Sequence, residues 1–155
     1  MPSSNGAFMA PFTASDGIQL TATTLDSVKG YREAAENSDD AEHRQFFSEM
    51  AEERSRLAAD LQQHVRAIGG DPETESSTAG AAHRGWVDLK SAITGRDEKA
   101  IVNEVERGED YLKAKFETAM QDDKLSSTAR GKLEQCFASV RKGHDRASAM
   151  KHAMV

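Results

Sequence analysis

Apolar residues recur at three- and four-residue steps over four long stretches of this chain, and this pattern constrains the fold more than any other feature. The first stretch covers about residues 18–37, the second runs to Ile68, the third follows Asp97, and the fourth begins near Ser127. No alternating strand pattern and no Asn-Gly hairpin signal lies between them. The sequence therefore predicts an all-α fold built on four long amphipathic helices.

Turn-forming residues mark where the predicted helices end. The run Ser38-Asp39-Asp40 closes the first helix and caps the second, and Gly69-Gly70 ends the second. A shorter helix stops at Gly95, and Asp97 can cap the third long helix. Because this shorter helix lies in the extended connection between the second and third long helices, we expect a four-helix bundle with a helical crossover at that point.

Length and composition limit the domain organisation and the partners. Residues 1–16 show no period and are predicted to form a flexible tail, which leaves residues 17–155 as one domain. Charged residues make up 30% of the chain and the formal net charge is -6, so we expect no nucleic-acid partner. No stretch approaches the roughly 20 apolar residues of a membrane span, so we expect no membrane partner. Cys136 is the only cysteine, and we expect it to be buried in a cytoplasmic protein.

Several charged residues fall on the predicted inner faces of the helices, where about 100° separates successive residues. Glu53 and Arg54 on the second long helix, and Glu109 on the third, lie within about 60° of the centre of the apolar stripe. On the last helix His144 lies along the stripe and Arg141 flanks it. Buried carboxylates need a cationic partner, and this partner can be a metal ion or an arginine.

Particular residues carry a resemblance to a known group of proteins. Tyr31-x-x-x-Ala35, Phe46 with Glu53 seven residues later, LKSAITG at residues 89–95 and Glu106-x-x-Glu109 together resemble the ferritin-like superfamily, rubrerythrins in particular. More closely, the runs YREAAE, AAHRGWVDLK and ERGED are similar to uncharacterised bacterial four-helix-bundle proteins that form a domain of unknown function in that superfamily. The resemblance covers about residues 18–150 and implies a ferritin-like four-helix bundle.

The resemblance also implies where metal ligands would lie. Thr24 occupies the position of the first-helix glutamate, Glu53 and Arg56 that of the second-helix pair, Glu106 and Glu109 that of the third helix, and Arg141 and His144 that of the fourth. Arginine therefore replaces a ligand at two positions, and no Glu-x-x-His motif occurs in the chain. Each arginine brings a fixed positive charge that can hold carboxylates and repel a dication.

Two functions follow from this comparison. In the first, the protein has no cofactor and no enzymatic activity, holds a metal-free core of arginine and glutamate, and acts in a stress-associated role as a homodimer or with a protein partner. The residues of that core would be Glu53 and Glu109 with Arg54, Arg56 or Arg141. In the second, Glu53, Glu109 and His144 bind iron or manganese at a reduced site with oxidase or peroxide-scavenging activity.

The run EVERGED at residues 104–110 places a glycine on an apolar helix face. We expect Gly108 to let a neighbouring helix approach closely and Glu109 to face the polar core. We expect Glu106 and Asp110 to lie at an edge or in solvent. Trp86 is predicted to bury its ring while it anchors the crossover over the end of the bundle.

Overall fold

The structure, a computed structural model, describes residues 14–70, 86, 88–121 and 125–154. Over these residues the chain is all-helical. Five helices make up almost all of these ranges: α1 (Ala14–Asn37), α2 (Ala41–Ala67), α3 (Leu89–Thr94), α4 (Glu98–Met120) and α5 (Ser127–Ala153). The predicted all-α class is confirmed for this part of the chain. None of these helices is both long enough and apolar enough to cross a bilayer.

The four long helices form two antiparallel pairs, α1 with α2 and α4 with α5. The two pairs meet mainly along α1 and α4, which also run antiparallel. Ser38, just after α1, donates a hydrogen bond of 2.5 Å to Glu98 at the start of α4. Leu20 near the start of α1 shares an apolar cluster with Phe116 near the end of α4. The connection from α2 to α4 therefore spans the length of the molecule and contains α3.

Two apolar clusters fill the interior and leave a polar level between them. One cluster contains Tyr31, Phe47 and Val105, and the other contains Leu57, Leu112 and Val140. On α2, α4 and α5 the chain passes from one cluster to the other within two turns. Charged residues and a glycine occupy the intervening positions, and they form the candidate site described below.

Side-chain caps and glycines terminate the helices largely where the sequence predicts. Asp40 accepts hydrogen bonds from two backbone N–H groups at the start of α2, and Asp97 accepts one from Ala100 at 3.1 Å. Gly69 has φ 91° just after α2, so the predicted glycine stop is confirmed. Ile68 is the C-cap of α2 and is 41% exposed.

One predicted boundary differs from the observed one, and the predicted end of α3 is confirmed but closes in an unexpected conformation. α1 begins at Ala14, so three residues assigned to the tail are helical, and residues 1–13 lie outside the described ranges. After α3 the left-handed residue is Arg96, with φ 53°, whereas Gly95 keeps a right-handed helical conformation. The N–H groups of Arg96 and Asp97 bond back to Ile93 and Ala92, so the left-handed residue of the turn that closes α3 is one position after the glycine.

The middle of α1 is buried on nearly every side although it carries several hydroxyl groups. Thr21, Thr24 and Ser27 are fully buried, and Thr23 is 9% exposed. Each hydroxyl donates to a backbone carbonyl three or four residues earlier, at 2.7–2.9 Å. This back-bonding satisfies the hydroxyls without a tertiary partner, so a threonine-rich stretch can serve as an interior helix.

Candidate functional site

A charge pair lies at the centre of the molecule. Arg54 on α2 donates from Nη1 and Nη2 to the two carboxylate oxygens of Glu109 on α4, at 2.5 and 2.6 Å. Both side chains have 0% relative exposure. This two-bond contact matches the planar guanidinium to the planar carboxylate and adds geometric specificity to the charge attraction.

All four long helices contribute to this centre. The guanidinium carbon of Arg54 lies 5.6 Å from the centroid of the Tyr31 ring on α1. On α5, Gly143 faces the pair: a Cβ there would lie 2.6 Å from Arg54 Nη2 and 2.7 Å from Glu109 Oε2. Only a residue without a side chain allows the α5 backbone to approach so closely, so the contact between Arg54 and Glu109 requires a glycine at position 143.

Burial and charge determine the protonation states at the centre. Burial raises the pKa of Tyr31 well above its ordinary value, and the nearby negative charge of Glu109 raises it further, so this hydroxyl stays protonated. Burial lowers the pKa of Arg54, but the charge and hydrogen bonds of Glu109 raise it by more, so the guanidinium stays charged. Arg54 therefore brings a fixed positive charge to the centre.

Trp86, in the crossover just before α3, covers the centre from one side. Its ring is edge-on to Tyr31, with 5.4 Å between the ring centroids. Gly30 on α1 and Gly108 on α4 both face this indole, and a Cβ on either glycine would overlap it. The close approach predicted at Gly108 is therefore made by the Trp86 ring and not by a neighbouring helix. An aromatic side chain is too large to fit between α1 and α4 unless both positions lack a Cβ.

Other residues of the EVERGED run form contacts with the crossover and with α5. Glu104 is 3% exposed and accepts a hydrogen bond of 2.7 Å from the backbone N–H of Asp88, which precedes α3. Burial raises the pKa of Glu104, and the hydrogen bond from Asp88 partly offsets this. Arg107 donates to the Asp88 carboxylate at 3.0 Å. Lys151 on α5 donates to Glu106 at 3.0 Å.

The structure gives the three predicted metal ligands separate partners. Glu109 contacts Arg54, whereas Glu53 accepts a hydrogen bond from Ser139. His144 contacts Asp110 through Nε2 at 2.6 Å and Asp145 through Nδ1 at 3.2 Å. Within the described ranges, no group of three or more histidine, cysteine or acidic side chains is arranged to hold a metal ion.

The arginine on the buried carboxylate is Arg54, whereas Arg56 and Arg141 are exposed. Helix geometry explains the difference, because Arg56 lies about 200° round the helix from Arg54 and faces solvent. The angular pattern of the sequence contained this signal, since it had already placed Arg54 within the inner sector. The role of Gly143 was not predicted from the sequence, although its position one turn from Val140 on the inner face of α5 was a signal for it.

The single cysteine is buried, as expected. Cys136 is 3% exposed and lies in the apolar cluster with Leu57 and Val140. Burial and the nearby charge of Asp60 raise the pKa of the thiol to about 11. Cys136 therefore remains a protonated, unreactive core residue in the folded state.

Over the described residues, this is an all-helical protein with an arginine–glutamate pair enclosed by four long helices. Residues 18–122 match the family model described as a domain of unknown function, DUF2383, and the chain belongs to that family. The matched region contains Arg54, Glu109 and both glycines that face Trp86, whereas α5 lies beyond it. No curated protein matches the chain.

Proposed function

We propose that this protein is a ferritin-like helical-bundle protein whose centre is neutralised by Arg54 instead of a metal ion. We further propose that it acts without catalysis, in a stress-associated role in the bacterial cytoplasm, by binding a second copy of itself or a partner protein. The observation that carries the proposal is the fully buried, two-bond contact between Arg54 and Glu109.

The order of the helices supports the ferritin-like part of the proposal. Ferritin-like folds have two antiparallel helix pairs joined by a long crossover, and their metal ligands project inward from all four helices at one level. Here the four helices meet at one level in the same way, through Tyr31, Arg54, Glu109 and Gly143.

The donor set at the centre does not fit a divalent metal ion. Both oxygens of Glu109 accept hydrogen bonds from Arg54, and Glu53 is bonded to Ser139. A dication about 4 Å from the guanidinium would be repelled by roughly 8 kcal/mol at an effective dielectric constant of about 20. The fixed charge of Arg54 thus competes directly with a metal for the carboxylate on which a metal site would depend.

Metal analysis tests the proposal directly. We expect the purified protein, incubated with ferrous iron or manganese and then desalted, to retain no stoichiometric metal by elemental analysis. Arg54→Gln removes the competing charge and leaves the Glu109 carboxylate without its cationic partner. This variant should therefore retain more metal than the parent protein. Arg56→Gln is the matched control, since it removes an exposed arginine two residues away and should change nothing.

One tightly bound metal per chain in the unmodified protein would overturn the proposal. It would favour the reduced iron or manganese site at Glu53, Glu109 and His144, with oxidase or peroxide-scavenging activity. This result requires only the parent protein, so it remains decisive if Arg54→Gln folds poorly.

A further inference from the structure

One carboxylate, that of Glu98, joins the start of α4 to the turn between α1 and α2. Its Oε2 accepts a hydrogen bond of 2.5 Å from the Ser38 hydroxyl and also contacts Nδ1 of His43. Its Oε1 accepts a hydrogen bond of 2.9 Å from the backbone N–H of Asp39. Because an ionised carboxylate only accepts hydrogen bonds, Nδ1 of His43 carries a proton in this contact. Three donors from one short segment therefore converge on a single acidic side chain.

Contacts within this segment hold the donors in position. The Ser38 hydroxyl accepts a hydrogen bond of 3.3 Å from the N–H of Asp40, which leaves its own proton for Glu98. The Asp40 carboxylate accepts from the N–H of His43 at 3.1 Å, and Arg44 donates to the Ser38 carbonyl at 3.0 Å. Ser38 and His43 are both buried, whereas the Glu98 side chain is 21% exposed. The segment is therefore preorganised, and Glu98 is the partner that protons from solvent can reach.

Other titratable side chains at this end of the molecule lie at its surface. On the turn, on α4 and on α5 they are those of Asp39, Asp97, Lys99, Lys151 and His152, and none of them is buried. Lys151 donates to Glu106 and His152 contacts the Ser148 carbonyl, so both have partners elsewhere. Solvent screens the interactions of exposed charges, so the contact depends mainly on Glu98 and the groups bonded to it.

The contact requires an ionised acid. A protonated carboxyl carries an O–H that itself needs an acceptor, whereas the groups that meet Glu98 here are donors. Burial raises the pKa of Glu98, but the hydrogen bonds from Ser38, His43 and the Asp39 N–H lower it by more. Because the pKa is lower in the folded than in the unfolded state, ionised Glu98 stabilises the fold above its unfolded pKa. That contribution is lost as the pH falls through the folded pKa.

We infer that Glu98 is an acid-sensitive latch, which holds the start of α4 on the α1–α2 turn while its carboxylate is ionised and releases it when the carboxylate is protonated. The turn that closes α3 leads directly into Glu98, with only Asp97 after the left-handed Arg96. The latch therefore also fixes the end of the crossover that joins the two helix pairs. The inference goes beyond the proposed function, because none of its residues belongs to the polar centre.

The stability of Glu98→Gln relative to the parent protein, measured by urea denaturation as a function of pH, tests the latch. Glutamine keeps the shape of the side chain but carries no charge. At pH 7 we expect the unfolding equilibrium constant of the variant to exceed that of the parent by about two- to tenfold, because charged acceptors form the stronger hydrogen bonds. The ratio should approach one as the pH falls through the folded pKa of Glu98. Glu117→Gln is the matched control at the other end of α4, where the acid is exposed, and its ratio should stay near one.

Backbone nitrogen-15 relaxation at pH 7 distinguishes a latch from a contact that only stabilises the fold. In Glu98→Gln the order parameters of residues 38–40 and 98–100 should fall from about 0.85 towards about 0.6, while those in the middle of α4 stay unchanged. This measurement needs no acid, so it remains decisive if the parent protein unfolds before Glu98 is protonated.

Three results would overturn the inference. Equal stability of Glu98→Gln and the parent at pH 7 would mean that the contact has no energetic role. A stability ratio that persists unchanged in acid would mean that the charge of Glu98 is not its cause. Unchanged order parameters at both segments would mean that loss of the charge releases nothing. None of these results bears on metal retention, so the latch and the proposed function can fail independently.

Discussion

At the scale of single residues, the groups at the centre stabilise the fold only in combination. Arg54 and Glu109 are both fully buried, and either charge without the other would lie uncompensated in an apolar interior. Gly143 contributes by having no side chain, because a Cβ at that position would overlap the pair. Three helices are therefore fixed relative to one another by two charges and one absent methyl group.

A double-mutant cycle on Arg54 and Glu109 should reveal this mutual dependence. We expect Arg54→Met and Glu109→Leu each to lower the free energy of unfolding by about 3–5 kcal/mol, because each leaves a buried charge unpaired. The double variant should recover much of that loss, since it leaves no charge behind. Urea denaturation measures all three values.

The exposed pair Lys113–Glu117 provides the control for this cycle. Its atoms are 3.8 Å apart, and Lys113→Met should change stability by less than about 1 kcal/mol. If the losses in the two single variants of the buried pair simply add in the double variant, Arg54 and Glu109 do not act as a unit.

At the scale of the helices, end signals and conformation agree at most positions and disagree after α3. Gly69 provides the left-handed residue after α2, where φ is 91°. After α3 the left-handed residue is Arg96, and the glycine stands one position earlier in a conformation that any residue can adopt. The tertiary contacts of the crossover with α4 hold this turn, so it tolerates a residue that the local sequence would not select.

Exchanging the residue types in this turn should therefore stabilise the protein. Arg96→Gly relieves the left-handed conformation and should raise the free energy of unfolding by about 0.5–1 kcal/mol. Gly95→Ala should also raise it by about 0.5–1 kcal/mol, because a Cβ there meets only ordinary contacts. Thermal unfolding checks both variants.

Gly69→Ala is the matched control for the α3 turn. It places a Cβ at φ 91°, so it should lower the melting temperature even though no atom lies within 4 Å of that Cβ. A lower melting temperature for Arg96→Gly would indicate that the arginine side chain contributes more than its backbone strain costs.

At the scale of the whole molecule, the crossover joins the two helix pairs. Trp86 occupies the space left by Gly30 and Gly108, and Glu104 and Arg107 hold Asp88 just beyond it. The same indole packs on Tyr31, which connects the crossover to the polar centre. The docking of the crossover and the geometry of the centre therefore depend on each other.

Alanine substitutions at two glycines should separate packing from helix propensity. Gly108→Ala should lower the free energy of unfolding by about 1–3 kcal/mol, because its Cβ overlaps the Trp86 ring. Gly131→Ala should raise it by about 0.5–1 kcal/mol, because that position on α5 is open and alanine favours helix. Fluorescence of Trp86, the only tryptophan, follows unfolding in both variants.

Combining Gly108→Ala with Trp86→Ala tests the cause of the expected loss. In the absence of the indole, the added methyl group has room, so its cost should disappear. A cost that persists in the double variant would mean that α1 and α4, and not the crossover, limit the space at Gly108.

The sequence by itself determined the helical class, most helix ends and the inward position of Arg54 and Glu109, because apolar periodicity and capping residues act over one or two turns. Only the tertiary structure decided that Arg54 and Glu109 lie opposite each other, that Glu53 turns to Ser139, and that an indole fills the space at Gly108. The periodicity of a helix indicates which face is buried, but it does not indicate which residues along that face lie opposite a given residue of another helix. This axial alignment of the helices follows from the packing of all the side chains together. A single charge pair can form only when the alignment is fixed.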